Sequence, residues 1–158
     1  MFPTEPLNGA ENGGGGNRTR ERFRADRLHS KELWDSLPIA WRIEVSRRQL
    51  SSPNYSIPRD ARLTQVYAIQ EDGGAIKIGR ANDVAKRLNG MRTGNWRTLT
   101  VLAEATLPAR IEKIVHYELA RHRIGRSEWF EPHPEVYEAV EALRAYGRGD
   151  APHLPEAA

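Results

Sequence analysis

Tyr67, Lys77 and Arg87 bring a phenol, an ammonium and a guanidinium into one short stretch, QVYAIQEDGGAIKIGRANDVAKRL, from Gln65 to Leu88. Further on, Glu112 and His116 stand four residues apart in RIEKIVHYELA. On a helix that spacing stacks the carboxylate and the imidazole on one face. Glu-x-x-x-His pairs can hold a metal ion, and the same spacing also suits an ordinary side-chain hydrogen bond at a helix boundary. A carboxylate beside an apolar stripe is costly unless paired or coordinated, and Glu118, near the same stripe, is a rival ligand. The donor fork of Arg87 matches a phosphate. The alternative is that its stem covers apolar surface while its head reaches water.

These groups need elements to position them. TQVYAIQ reads as a strand and AIKIG as a second, joined by the turn EDGG, where Gly73 and Gly74 can take positive φ. Asn82 is the expected N-cap of the following helix, with Asp83 at the positive end of its dipole. Val84, Leu88 and Met91 define the buried face of that helix, so Arg87 borders the core rather than open water. RTLTVLAEAT reads as a third strand. Pro108 is expected to open a long helix, ARIEKIVHYELARHR, closed by Gly125, with His122 on the surface. SEWFEP reads as a short extended piece, whose Trp129 and Phe130 either anchor the core or stack on bases. PEVYEAVEALRAYG is a last amphipathic helix, burying Val136, Val140 and Leu143.

The resulting expectation is an α+β fold: a small three-stranded antiparallel sheet flanked by helices, with a helical N-terminal extension. Residues 1–28 read as a polar, disordered tail, in which RTRERFRADRL is either a solvated helix or an arm on nucleic-acid phosphates. Residues 29–58 form the helical extension and a linker, with Trp34, Leu37 and Trp41 in one stripe that docks on the main domain. Residues 63–132 form the compact unit, 133–146 a C-terminal helix packed on it, and 147–158 a loose tail.

The 158 residues suit one domain with tails. The absence of cysteine rules out disulfides and thiolate metal sites in this sequence. It holds no apolar run of membrane-spanning length, and its start lacks the apolar core of a secretory signal, so a cytoplasmic protein without membrane contact is expected. Residues 59–132 hold 13 basic and 9 acidic side chains, a net of +4, whereas residues 133–158 carry −3. The basic excess sits in the compact unit and favours a polyanionic partner.

The order QVY (Gln65–Tyr67), KIG (Lys77–Gly79), Arg87, Glu112 with His116, then SEWF (Ser127–Phe130) resembles the GIY-YIG nuclease superfamily. It is most similar to the branch, often labelled a phage-type DNA-binding domain, whose second motif reads K-I-G and which ends in E-W-F. The resemblance covers under half the chain. It implies a three-stranded sheet with flanking helices that cleaves DNA phosphodiesters with one divalent metal. Tyr67, Lys77, Arg87 and Glu112 would then be catalytic. Glu112 would bind Mg²⁺ or Mn²⁺, Tyr67 would serve the attacking water as general base or orienter, and Arg87 would hold the scissile phosphate. Arg80, Lys86 and Arg92 would contact DNA, and His116 and Glu128 would support the site from behind. The first motif lacks its glycine and Lys77 stands where the nucleases carry a tyrosine, which leaves open a DNA-binding module that does not cut. A third reading is a protein-interaction adaptor using the Trp34/Trp41 stripe. Oligomeric state is left open by the sequence.

Overall fold

A computed structural model describes residues 31–94 and 97–152. The expected basic arm and polar tail at 1–28, the neighbours Asn95 and Trp96, and the end from 153 lie outside the described residues. The chain runs α1 (Lys31–Ser36), α2 (Ile39–Leu50), α3 (Pro58–Ala61), β1 (Leu63–Glu71), β2 (Ile76–Ala81), α4 (Val84–Thr93), β3 (Leu99–Pro108) and α5 (Arg110–Glu118). A 3-10 turn (Ala120–His122), β4 (Trp129–Phe130) and α6 (Pro134–Gly147) complete it.

The sheet has four antiparallel strands in the order β3-β1-β2-β4, not the expected three. SEWFEP supplies the fourth: Phe130 pairs with Ile76 and Trp129 with Lys77. The hairpin β1–β2 turns at Gly73, whose φ of +62° lies in the left-handed region that glycine enters without strain. Val66, Tyr67, Ala68 and Ile69 are all buried in succession because both faces of β1 are covered. One face meets α2, α5 and α6 through Ile39, Ile43, Val66, Ile78, Ile111 and Leu143. The other carries Tyr67, Ile69 and Leu99 against Val84 and Leu88 of α4.

Three further expectations change. Pro108 ends β3 instead of opening a helix; on an edge strand its missing N–H removes no necessary ladder bond. α5 therefore begins at Arg110 and stops at Glu118, and Gly125, at φ +60°, serves the turn into β4. Asp83, not Asn82, caps α4, its side chain accepting from Lys86 N–H at 3.0 Å. His122 is buried and stacks on His133 at 3.9 Å between ring centroids. Burial holds its imidazole below the usual range. Among the described residues, no helix is long and apolar enough to cross a membrane.

Trp34, Leu37 and Trp41 are each half-buried, and the Trp34 indole donates to Glu118 on α5 at 3.2 Å. Glu44 of α2 is sealed in, accepting hydrogen bonds from Arg47, Arg48 and the Tyr146 hydroxyl of α6. Burial alone would raise its pKa. The donors outweigh it and hold the carboxyl down at about 2, against 4.5 for a free glutamate. A depressed folded-state pKa stabilises the fold above the unfolded value, and the contribution disappears as pH falls through the folded value. Glu44 should therefore contribute about 3 kcal/mol near neutrality, lost between roughly pH 4.5 and 2. Urea unfolding of Glu44→Gln is expected to show a deficit of that order at pH 7 that closes towards pH 2. A deficit independent of pH would refute this account.

Candidate active site

The outer edge of β2 is only partly covered. β4 pairs with Ile76 and Lys77 and stops. Past that point Ile78 N–H donates to the Glu128 carbonyl at 3.2 Å, and His116 Nε2 lies 2.6 Å from the Ile78 carbonyl. A carbonyl only accepts and a guanidinium only donates. The Ile78 contact therefore needs the proton on Nε2, and the 3.3 Å approach of Arg123 to Nδ1 needs a lone pair there. His116 thus ties α5 to β2 with both ring nitrogens engaged. Beside it opens a cleft of about 570 Å³, lined by Arg80, Glu112, Lys113, His116, Arg123 and Glu128.

Glu112 sits on the cleft wall with its side chain 9% exposed, Oε1 3.4 Å from His116 Nε2 and Oε2 4.0 Å from Arg80 Nε. Glu118 is no rival to it: its carboxylate is taken by Arg42 at 2.8 Å and by Trp34. The Glu112/His116 spacing thus yields one carboxylate with available oxygens and one histidine already committed.

Tyr67 approaches from the other face of the sheet. It is the cross-strand partner of Gly79, and its ring lies directly over that residue. A Cβ at Gly79 would stand 2.6 Å from the phenol oxygen and 2.8 Å from Cζ. The rigid ring cannot fold away from such a contact, so the third residue of KIG has to be glycine for Tyr67 to lie flat on β2.

Lys77 points to the same face, two residues before Gly79. Its ammonium meets Glu128 at 2.5 Å and lies 5.8 Å from the centre of the Trp129 ring. The hydrogen bond from Lys77 holds the Glu128 carboxyl below the usual range despite partial burial, and Arg87 adds to the effect from α4. Arg87 is exposed and takes part in no ion pair among the described residues. Neither Lys77 nor Arg87 lines the cleft; Lys77 is linked to it through Glu128, whose carboxylate also feels the charge of Arg87, whereas Glu112 and Arg80 line its wall.

The remaining candidates lie apart. Lys86 is exposed on α4, and Arg92 donates to the Leu99 carbonyl at 3.3 Å, joining the end of α4 to β3; neither lines the cleft. Phe130 is fully buried and meets His116 edge-on at 5.1 Å, while Trp129 is half-buried. Lys113, Tyr117 and Arg123 line the cleft without having stood out in the sequence. Lys113 lies three residues before His116 and four before Tyr117, so the helical period offered a signal. Arg123 follows a 3-10 turn and offered none.

The family model of the T5orf172 domain matches residues 64–145, just over half the chain. This chain belongs to the T5orf172 domain family. The match takes in every candidate site residue and leaves out α1 and α2. No curated protein and no solved structure matches.

Among the described residues of this T5orf172 domain, no group of three or more His, Asp or Glu side chains is spaced to hold a metal by itself. One carboxylate on an open cleft still fits a hard dication such as Mg²⁺, which keeps several waters and completes its shell with phosphate oxygens. Glu112 has the donor chemistry for that; His116, with both nitrogens engaged, does not.

Proposed function

We propose that this T5orf172 domain binds DNA and hydrolyses its phosphodiester bonds with a divalent metal, in the manner of the GIY-YIG nucleases. Family membership speaks for a DNA-directed role. The observation that supports the cutting step is the Glu112 carboxylate on an open cleft beside Arg80 and Arg123, which Glu128 on the same lining links to Lys77.

In this reading Glu112 holds Mg²⁺ or Mn²⁺, which supplies positive charge against the phosphoryl oxygen. Arg87 grips the non-bridging oxygens and takes up charge as the phosphorus becomes five-coordinate. Tyr67 holds the attacking water by its phenol oxygen, at a position set by Gly79. Arg80 and Arg123 steer the DNA backbone into the cleft. His116 keeps α5, and with it Glu112, at a fixed distance from β2. A lone site nicks one strand, so a double-strand cut needs two chains or two visits.

Incubation of supercoiled plasmid with Mg²⁺ or Mn²⁺ tests this. Nicked circles are expected, absent with chelator and absent with Glu112→Ala. Nicking that persists in Glu112→Ala would remove the metal carboxylate from the mechanism. One observation favours a second reading: Lys77, which stands in place of a tyrosine, is neutralised by Glu128. A DNA-binding module that does not cut would give a salt-sensitive gel shift without nicks.

A further inference from the structure

The pair Lys77–Glu128 joins a buried cation to an exposed anion: the Lys77 side chain is 10% exposed and that of Glu128 is 49% exposed. Lys77 stays in place, because its side chain is almost wholly buried. Glu128 can leave, because only its carboxylate is engaged there while its backbone stays fixed through Ile78 N–H. A buried ammonium without an anion is costly, so some anion belongs at this position at all times. Arg87 on α4 is exposed, takes part in no ion pair among the described residues, and its charge reaches the Glu128 carboxylate. An ammonium and a guanidinium fork are the donors that a phosphate takes.

We propose that Lys77 and Arg87 form a phosphate subsite whose resting occupant is the chain's own Glu128 carboxylate, and that a DNA phosphate enters by displacing it. This rests on the DNA-binding reading and adds a gate to it. Glu128 holds Lys77 while the site is empty and competes with every anion that approaches. The ion pair broken on entry is replaced by one to phosphate, and the gate lowers the affinity of every anion for this subsite by the same factor.

The test is binding of the full chain to a short fluorescein-labelled DNA duplex, by anisotropy across a salt series with chelator present. Glu128→Gln is expected to bind roughly tenfold more tightly, the scale of one charge-assisted hydrogen bond no longer in competition. Its dependence on salt should steepen by about one phosphate contact. Glu131→Gln, an exposed acid three residues on with the same change in net charge, should alter binding by less than about twofold. Lys77→Met should weaken binding and erase the gain of Glu128→Gln. Should Glu128→Gln unfold, Glu128→Asp keeps the charge but withdraws it from Lys77, and an intermediate gain is expected. Wild-type binding with no gain in the Glu128 variants, or a gain matched by Glu131→Gln or indifferent to Lys77, overturns the gate and leaves the DNA reading intact. Absence of DNA binding in every variant overturns both.

Discussion

Arg87→Ala is expected to leave the protein folded and to lower metal-dependent nicking by about 10³- to 10⁵-fold, the range for an arginine serving a phosphoryl transition state. The first half follows from where the residue stands. The buried face of α4 is carried by Val84 and Leu88, and Arg87 is exposed. With no ion pair of its own among the described residues, its removal orphans no buried carboxylate. Surface substitutions of this kind usually change stability by no more than about 0.5 kcal/mol. The second half follows from the chemistry of the fork. Two parallel N–H donors can follow the non-bridging oxygens as they flatten, and a lysine, a single point charge, reproduces attraction without that geometry. Arg87→Lys should therefore recover only part of the rate. Single-turnover nicking beside urea unfolding separates the two halves. A loss below about tenfold, with unfolding unchanged, would place the scissile phosphate away from Arg87.

The features that can be read from the sequence are those written in local periodicity. The hairpin is signalled by Gly73 between two apolar runs, and α4 by Val84 and Leu88 one turn apart, although its cap falls on Asp83 and not on Asn82. β4 is not signalled, because two residues have no period; Trp129 and Phe130 become a strand only once β2 offers Ile76 and Lys77 as partners. Pro108 misleads for a related reason. Its fixed φ suits both a helix start and an edge strand, and the strand order decides between them. Candidate residues stand out by type and order, whereas their partners do not. Lys77 meets Glu128 across 51 positions, and Glu118 meets Arg42 across 76. The burial of His122 likewise depends on His133 being folded back over it. Side-chain pairing at such separations is a product of the assembled sheet and leaves no pattern along the chain.

The longest of those pairings carries the largest expected effect on stability. Arg42 and Glu118 meet at 2.8 Å with side chains only 6% and 10% exposed. Arg42 also donates to the Leu37 carbonyl at 3.1 Å, so the guanidinium is spent on both α5 and the chain just before α2. Arg42→Met leaves Glu118 sealed in with only the Trp34 indole as donor, and stranding a buried carboxylate in this way costs about 3–5 kcal/mol. That is a large share of the ~5–15 kcal/mol by which a domain is stable. Replacing both members, Arg42→Met with Glu118→Leu, removes the stranded charge together with its partner. The double variant is therefore expected within about 1 kcal/mol of wild type. Urea unfolding of the two single variants and the double closes the cycle. A single-variant cost under about 1 kcal/mol, or a double no better than the singles, would mean that water reaches Glu118 and that the pair is not sealed. The consequence reaches the cleft, because Glu118 ends the same helix that carries Glu112 and His116. α2 lies outside the matched family segment, yet its arginine anchors the C-terminal turn of that helix, while His116 ties the middle to β2. Partial loosening of α5 in Arg42→Met should lower nicking more than the folded fraction accounts for, and the double variant should restore it.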